Sequence, residues 1–353
     1  MYPPTQTIQN SKKHINRLKV LAVVFTIGGI ALFAYFIYAV GVHEIVEGVL
    51  RFGIIGFAII LAVHFVKICI RAWAWKLCVN EPYSLSLKDT IPAVVIGEAM
   101  SSTIPLGILI SGTSKAVAVR NKIPLVAGLS SVATENLFYS LWTSLFLIVG
   151  GIVLLSLFAI DETLVVAIDF LIVSVIILII LGFLMVIRQW HFVSATCNWI
   201  YKKGYFRSIL ENGRHYARRF EELIYGFYRQ YPKRFLPICL LEAAYFVLGV
   251  AEVWYILSRL TETFPSLLSA FLLESVSRLI IVIFKLIPFV IGVDEAGARF
   301  IGETLGLAAG VGITLAIIRK GRILFWTAAG LILIIKRELS LPTFSSDSED
   351  TIT

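Results

Sequence analysis

The residues that could do chemistry are ionisable side chains inside otherwise apolar stretches of the chain. Residues 266–303 show this most clearly, because the charged residues of this run include Glu274, Arg278, Lys285, Asp294, Glu295 and Arg299. Apolar surroundings make an unpaired charge costly, so these side chains must face one another, a cavity or water. Arginine and lysine could hold a lipid phosphate, and the carboxylates could hold a cationic headgroup or balance the basic side chains.

The first half of the chain has a comparable stretch. Residues 90–120 are apolar with Glu98 and Lys115 among them, and Glu135 interrupts the apolar run that follows. Together with the six residues above, these three complete a predicted substrate-binding set of nine.

Both stretches contain proline and glycine residues, which are predicted to interrupt the helices that carry these charged side chains. The predicted breaks are Pro105, Gly112, Pro288 and Gly292. Such residues argue against one straight spanning helix, and broken backbone at membrane depth must be satisfied by protein or a water-filled cavity. Each stretch is therefore predicted to be a broken or re-entrant helix that lines a polar site.

Simpler interpretations of several charges remain open. Glu274 and Arg278 are four residues apart, which is the spacing of a local ion pair. Asp294 and Glu295, with Arg299, could mark the start of an interfacial helix, where acidic residues are favoured by the helix dipole.

The segment before these stretches, residues 52–78, carries basic side chains at helical spacing. His64, Lys67 and Arg71 fall near one helix face. We expect Arg71 and Lys76 to extend to the cytoplasmic surface, whereas His64 and Lys67 lie deeper and are candidates for a polar cavity.

Composition sets the fold class. The chain has 353 residues, of which 58% are hydrophobic and only 15% charged, and its mean hydropathy is +0.87. Soluble chains are about one quarter charged. We predict an all-α polytopic membrane protein with about seven or eight transmembrane helices, two of the segments being broken, and a single transmembrane domain over residues 18–340.

Charge distribution predicts the orientation. Residues 18–40 form an apolar run behind a basic cytoplasmic segment, residues 1–17, and the run is too long for a signal peptide. The longest polar connection, residues 188–234, is basic and therefore cytoplasmic. Within it, aromatic and aliphatic residues recur at helical steps from Tyr216 to Tyr231, which predicts an amphipathic helix on an anionic leaflet or a solvated linker helix. The tail, residues 341–353, is predicted to be disordered.

The formal net charge of +8 therefore reflects basic cytoplasmic loops next to anionic lipid and does not indicate binding to nucleic acid. The four cysteines have no metal-binding spacing, and we predict neither a metal nor another cofactor. The predicted location is the cytoplasmic membrane, with a cytoplasmic N-terminus. The sequence leaves the oligomeric state open, a homo-oligomer included.

The two halves resemble each other. Each of the repeats, residues 52–187 and 235–337, offers a span, a Pro/Gly-broken segment with an embedded glutamate, a glycine-led polar cluster and further apolar runs. In the second repeat those runs are residues 305–318 and 323–335, each short for a full span. The basic connection on the cytoplasmic side gives the halves opposite topology, which predicts the inverted repeat seen in many transporters.

The motif at Gly292-Val293-Asp294-Glu295-Ala296, preceded by Pro288, carries a family resemblance. It resembles the membrane region of lysylphosphatidylglycerol synthetases and their free-standing flippase-like relatives, over residues 18–336. In the first half the chain departs from that pattern at Thr113, Lys115 and Asn136. The resemblance implies movement or handling of phospholipid, with no aminoacyl-transfer domain.

Three functions are therefore open. The first is flippase-like translocation of a phospholipid, with anionic headgroups as the expected partners. The second is a membrane-embedded partner or regulator of a lipid-modifying enzyme. The third is a lipid-linked transferase, for which Glu44 and Glu47 are the only outer-loop acids and for which no catalytic motif is present.

Overall fold

The computed structural model describes residues 38, 42–103, 107–158, 162–189, 191–203, 207–262, 264–283, 290 and 292–336. They form eleven α-helices and one short 3₁₀ turn, and none of these residues is in a strand, which confirms the all-α prediction. The predicted N-terminal segment and first helix, apart from Tyr38, and the predicted tail lie outside the described residues.

The helices are, in chain order, α1 (Val42–Leu77), α2 (Leu87–Thr103), α3 (Gly107–Ala118), α4 (Leu125–Leu157), α5 (Glu162–Ile187), α6 (Phe192–Lys202), α7 (Arg207–Gln230), α8 (Phe235–Leu260), α9 (Leu267–Ile283), α10 (Val293–Thr304) and α11 (Ala309–Lys336). The 3₁₀ turn Pro232–Arg234 leads into α8.

Three helical segments are long and apolar enough to cross a membrane. They are Ile45–Leu77, Leu125–Leu157 and Pro232–Leu260, and a shorter apolar stretch, Ile168–Gly182, lies in α5. Because a membrane span needs about 20 apolar residues, these segments confirm a membrane protein.

The C-terminal helix differs from the sequence expectation. Residues 309–336 form one helix of 28 residues instead of two short runs, about 42 Å long at about 1.5 Å per residue. The basic residues that appeared to interrupt it include Arg319 and Arg322, whose side chains are buried in ion pairs. Their charge is therefore satisfied inside the protein, and the helix continues through them.

Both predicted breaks are observed, but not every predicted break residue makes one. α2 is described as far as Thr103 and α3 from Gly107, and the chain reverses between them, because an added Cβ at Gly97 would lie 3.1 Å from the backbone oxygen of Ser111. Gly292 has a φ of 86° immediately before α10, a conformation that favours glycine. Pro105 and Pro288 lie outside the described residues. Gly112 was wrong as a break: it lies inside α3, where an added Cβ would be 3.4 Å from Val132 of α4. Its role is close helix packing.

The helices of the two halves pack against each other in matching positions. α1 lies along α8, α2 packs on both α3 and α11, and α9 packs on α4, α8 and α10. A large apolar cluster joins α1, α8, α9 and α11 through residues such as Ile60, Ile256, Leu272 and Leu315. This arrangement places the charge-bearing faces of α1, α4, α8, α9 and α11 next to one another.

The amphipathic connection packs on protein more than predicted. Phe227 and Ile224 of α7 are buried, and Phe227 belongs to an apolar cluster with Phe138 of α4 and Ile238 of α8. Asn80 Nδ2 donates to the Leu223 carbonyl at 2.9 Å, which ties α7 to the end of α1. The second half of the predicted apolar stripe therefore contacts the domain, while Tyr216 remains exposed.

Gly330 should be sensitive to substitution because α11 crosses α2 there. An added Cβ would lie 2.7 Å from the backbone oxygen of Val95, and overpacking of this kind costs about 1–3 kcal/mol. We expect Gly330→Ala to lower the melting temperature of the purified protein by several degrees. Gly182→Ala is the matched control, since nothing lies within 4 Å of its Cβ position; equal melting temperatures for the two variants would contradict the close crossing.

Candidate functional site

The centre of the helix bundle contains six basic side chains that share three carboxylates. Each of these basic side chains is 12% exposed or less. The three groups are Arg71 and Lys115 on Glu135, Lys67 and Arg322 on Glu252, and Arg278 and Arg319 on Glu274. We call these groups the Glu135, Glu252 and Glu274 clusters.

The Glu135 cluster joins α1, α3 and α4. Arg71 donates to Glu135 Oε1 through Nε at 3.0 Å and through Nη2 at 2.7 Å, and Lys115 Nζ lies 3.6 Å from Oε2. Glu135 itself is fully buried. One carboxylate thus holds two cations that come from different helices.

The other two clusters join α1, α8, α9 and α11. Lys67 Nζ lies 3.4 Å from Glu252 Oε2, and Arg322 pairs with the other carboxylate oxygen. Arg278 and Arg319 bind opposite oxygens of Glu274 at 2.9 and 2.8 Å. Arg319 also donates to Ser277 Oγ at 2.9 Å.

Two tyrosines connect the three clusters. The ring of Tyr245 on α8 lies under one cation from each cluster, with Lys67 Nζ, Arg278 Cζ and Arg71 Cζ at 4.9, 5.1 and 5.7 Å from its centroid. Tyr139 on α4 accepts a hydrogen bond from Arg278 at 2.7 Å while Arg71 stacks on its ring at 4.4 Å. The negative faces of these rings stabilise cations that exceed the carboxylates in number.

Two further polar contacts lie beside the clusters. His64 Nε2 is 3.1 Å from Glu98 Oε2, which joins α1 to α2. At α10, Lys320 lies 2.8 Å from Glu295 and 3.9 Å from Asp294. Glu295 also accepts from the Gly292 N–H at 2.8 Å, so the predicted acidic helix start is observed, but both acids are buried instead of interfacial.

The structure thus groups most of the predicted residues and separates others. Glu98, Lys115, Glu135, Glu274 and Arg278 line the central bundle, and the predicted local pair of Glu274 with Arg278 is confirmed. Asp294 and Glu295 form a separate group. Arg299 pairs with Glu303 at 2.7 Å on a partly exposed helix face, and Lys285 lies outside the described residues.

The expectation for Arg71 was wrong. Its side chain is 12% exposed and bound to Glu135, because that buried carboxylate offers a stronger partner than the membrane surface. Lys76 is exposed as expected, and the prediction of buried positions for His64 and Lys67 is confirmed.

Sequence reasoning missed several of the central residues. Glu242, Glu252, Arg319 and Arg322, with Tyr139 and Tyr245, were not in the predicted set. The available signal was the same one that identified Glu274: an ionisable residue inside a run of apolar residues. Tyr139 and Tyr245 gave no such signal, because tyrosine is common in apolar helices.

The arrangement is suited to binding an anion. Arginine binds phosphate and carboxylate in the same two-point geometry, so a phosphate could take the place of Glu135 on Arg71 and Lys115. Among the described residues, no group of three or more His, Cys, Asp or Glu side chains could hold a metal ion.

Removing a shared carboxylate should destabilise the fold. Breaking a buried ion pair leaves an uncompensated charge and costs about 3–5 kcal/mol, and Glu274→Gln would leave both Arg278 and Arg319 with a neutral partner. We expect a marked drop in melting temperature. Glu222→Gln, which removes an exposed pair with Arg218, is the control; surface pairs contribute about 0–1 kcal/mol, and an equal drop for both would contradict a buried network.

Comparison with known proteins gives one match. The family described as the lysylphosphatidylglycerol synthase TM region matches residues 19–330. Searches of curated proteins and of solved structures gave no match.

The matched residues include all nine residues of the three clusters, and they fall in the membrane region of a family related to lipid handling. The chain is a membrane protein that belongs to the lysylphosphatidylglycerol synthase TM region family.

Proposed function

We propose that the protein moves a phospholipid between the leaflets of the cytoplasmic membrane, with its N-terminus in the cytoplasm. The observation that carries this proposal is the sharing of three buried carboxylates by six basic side chains. Even with the nearby Glu98 and Glu242 counted as anions, the bundle centre has six Lys/Arg and five Glu side chains. An anionic phosphate would remove that excess charge.

The Glu135 cluster is the proposed phosphate site. Lys115 lies 3.6 Å from Glu135, the longest of the six ion-pair distances, whereas Arg71 holds the same carboxylate at 2.7 Å. Lys115 is therefore the cation most readily released to a phosphate. Arg71 could then bind phosphate at two points, while Tyr139 keeps its guanidinium in place by stacking.

The packing pattern supports the proposal of an inverted repeat. α2 packs on α11 of the other half as α9 packs on α4. Gly128 of α4 packs against Ala116 of α3, and Gly312 of α11 packs against Ala298 of α10. Repeats of opposite topology allow one half to rock against the other around a central site.

The two other functions make different predictions. A partner or regulator of a lipid-modifying enzyme needs no translocation, and a transferase forms a covalent product. We propose a carrier rather than an enzyme, because the charged centre offers paired cations and the sequence has no catalytic motif.

Loss of Lys115 should impair translocation without breaking the cluster. Lys115→Gln leaves Glu135 bound to Arg71, so the fold should persist, while one phosphate contact is lost. We expect a translocation rate at least about tenfold lower, as a charge-assisted contact contributes about 1.5–3 kcal/mol. The measurement is dithionite accessibility of fluorescent phospholipids in liposomes that contain the pure protein.

Lys76→Gln is the matched control, because Lys76 is exposed at the end of α1. Folded wild-type protein that moves none of the anionic, zwitterionic and cationic lipids would overturn the proposed function. Covalent product formed from the lipid would instead indicate a transferase.

We also propose that α6 and α7 contact the anionic cytoplasmic leaflet. Six cations are exposed there against the exposed Glu222: Lys202, Lys203, Arg218, Arg219, Arg229 and Lys233. The side chain of Trp199 is 57% exposed, with Lys203 Nζ 3.8 Å above its ring. α6 begins five residues after the apolar helix α5 ends, so it stays close to the membrane surface, where tryptophan and lysine are favoured.

Anionic lipid should therefore protect α6 from exchange. We expect slower amide hydrogen exchange over residues 196–203 in nanodiscs with anionic lipid than in zwitterionic nanodiscs. Lys202→Gln with Lys203→Gln should remove the difference, and so should high salt, which screens exposed charges. The same exchange rate in both lipids would show that α6 and α7 form a solvated linker.

A further inference from the structure

Glu242 has a buried carboxyl group with no hydrogen-bond partner in the part of the chain that the structure describes. It lies in α8, its exposure is 0%, and neither Oε1 nor Oε2 has a hydrogen-bond partner among the described residues. Glu242 lies three residues before Tyr245 on α8, so the two side chains share one face of that helix. The Tyr245 ring lies under Arg71, with 5.7 Å between its centroid and Arg71 Cζ, and Glu242 therefore lies next to the proposed phosphate site.

The neighbouring cations are already committed to other carboxylates. Arg71 and Lys115 bind Glu135, and Arg278 binds Glu274 and Tyr139. A buried carboxylate without donors loses its hydration with no compensation, which is among the more costly arrangements in a protein interior. A buried group of this kind calls for an explanation, and a bound molecule that supplies the missing donor is one.

We propose that Glu242 accepts a hydrogen bond from the lipid headgroup, from a hydroxyl O–H or an ammonium N–H, while Arg71 and Lys115 hold the phosphate. This inference rests on the proposed function and names its substrate class. The substrates are phospholipids whose headgroup carries a hydrogen-bond donor on the alcohol attached to the phosphate. Glu242 is thus a specificity-determining residue of the translocation site.

A choline headgroup does not fit this site. Its quaternary ammonium has no N–H to donate, and it is recognised instead by the faces of aromatic rings. The face of Tyr245 already carries Lys67 and Arg278 at 4.9 and 5.1 Å from its centroid. Tyr139 is covered by Arg71 at 4.4 Å. Choline therefore cannot donate a hydrogen bond to Glu242, and the rings of Tyr139 and Tyr245 are already occupied by cations.

Two pairs of lipids separate the effect of a headgroup hydrogen-bond donor from the effect of headgroup charge. Phosphatidylglycerol and phosphatidylmethanol carry the same single negative charge, but only the first has headgroup hydroxyls. Phosphatidylethanolamine and phosphatidylcholine are both zwitterionic, but only the first has N–H donors. We expect wild-type protein to move the donor-bearing member of each pair at least about tenfold faster, the effect of one hydrogen bond to a charged group.

Substitution of Glu242 should remove this selectivity. Glu242→Leu deletes both acceptors, so the rate ratio within each pair should fall to about one; Glu242→Gln keeps one acceptor oxygen and should give an intermediate ratio. Glu262→Gln, at an exposed position just after α8, is the control and should keep the wild-type ratios. Melting temperatures identify any variant that fails to fold.

The outcomes separate this inference from the proposed function. Wild-type protein that moves all four lipids at equal rates would support the carrier and overturn the role of Glu242. A selectivity that Glu242→Leu leaves unchanged would also overturn it. Short-chain forms of the four lipids, tested by thermal stabilisation of wild type and of Glu242→Gln, give a readout without transport: equal stabilisation by both members of each pair would contradict donor recognition.

Discussion

The structure depends on how six basic side chains are held inside an apolar bundle by three carboxylates. Each of these carboxylates binds two cations, and the cations come from α1, α3, α9 and α11. A buried ion pair stabilises little on its own, because desolvation offsets the attraction, but loss of one partner is costly. The helices are therefore constrained to the positions in which every cation reaches a carboxylate, and apolar packing such as that of Ile60 and Ile256 fills the space around them.

The clusters are not independent, because Tyr245 lies under a cation from each of them. Movement of Arg71 away from Glu135 would change the environment of Lys67 and Arg278 through this shared ring. A phosphate bound at one cluster would thus change the electrostatic environment of the ion pairs that join α1 to α8 and α9 to α11. This is the kind of contiguous packed network through which a local charge change can bias a whole helix pair.

The sequence predicted the helices better than the charge pairs. α4, Leu125–Leu157, coincides with the apolar run that Glu135 interrupts, because Pro124 and the end of that run define its limits locally. The partners of the charges are not local. Lys67 and Glu252 are 185 positions apart, so nothing in either segment identifies the other. The same limit explains the wrong prediction for Arg71, whose partner Glu135 lies three helices further along the chain. It also explains why α11 was predicted as two short runs: its buried arginines pair with Glu252 and Glu274, which are far away in the sequence.

The two halves share an arrangement of helices but reverse its charge. In the first half the short helix α3 supplies a cation, Lys115, to a carboxylate on α4; in the second half α10 supplies the carboxylates Asp294 and Glu295 to a cation, Lys320, on α11. A negatively charged group is therefore attracted to α3 and repelled by α10. If the halves are inverted repeats, these two helices approach the centre from opposite sides of the membrane, so the field along the path has a direction. On the proposed path a phosphate would be bound more tightly at one broken helix than at the other. This asymmetry makes the affinity differ between the two sides of the membrane, but a net direction of transport still requires an energy source, because a passive carrier works equally in both senses at equilibrium.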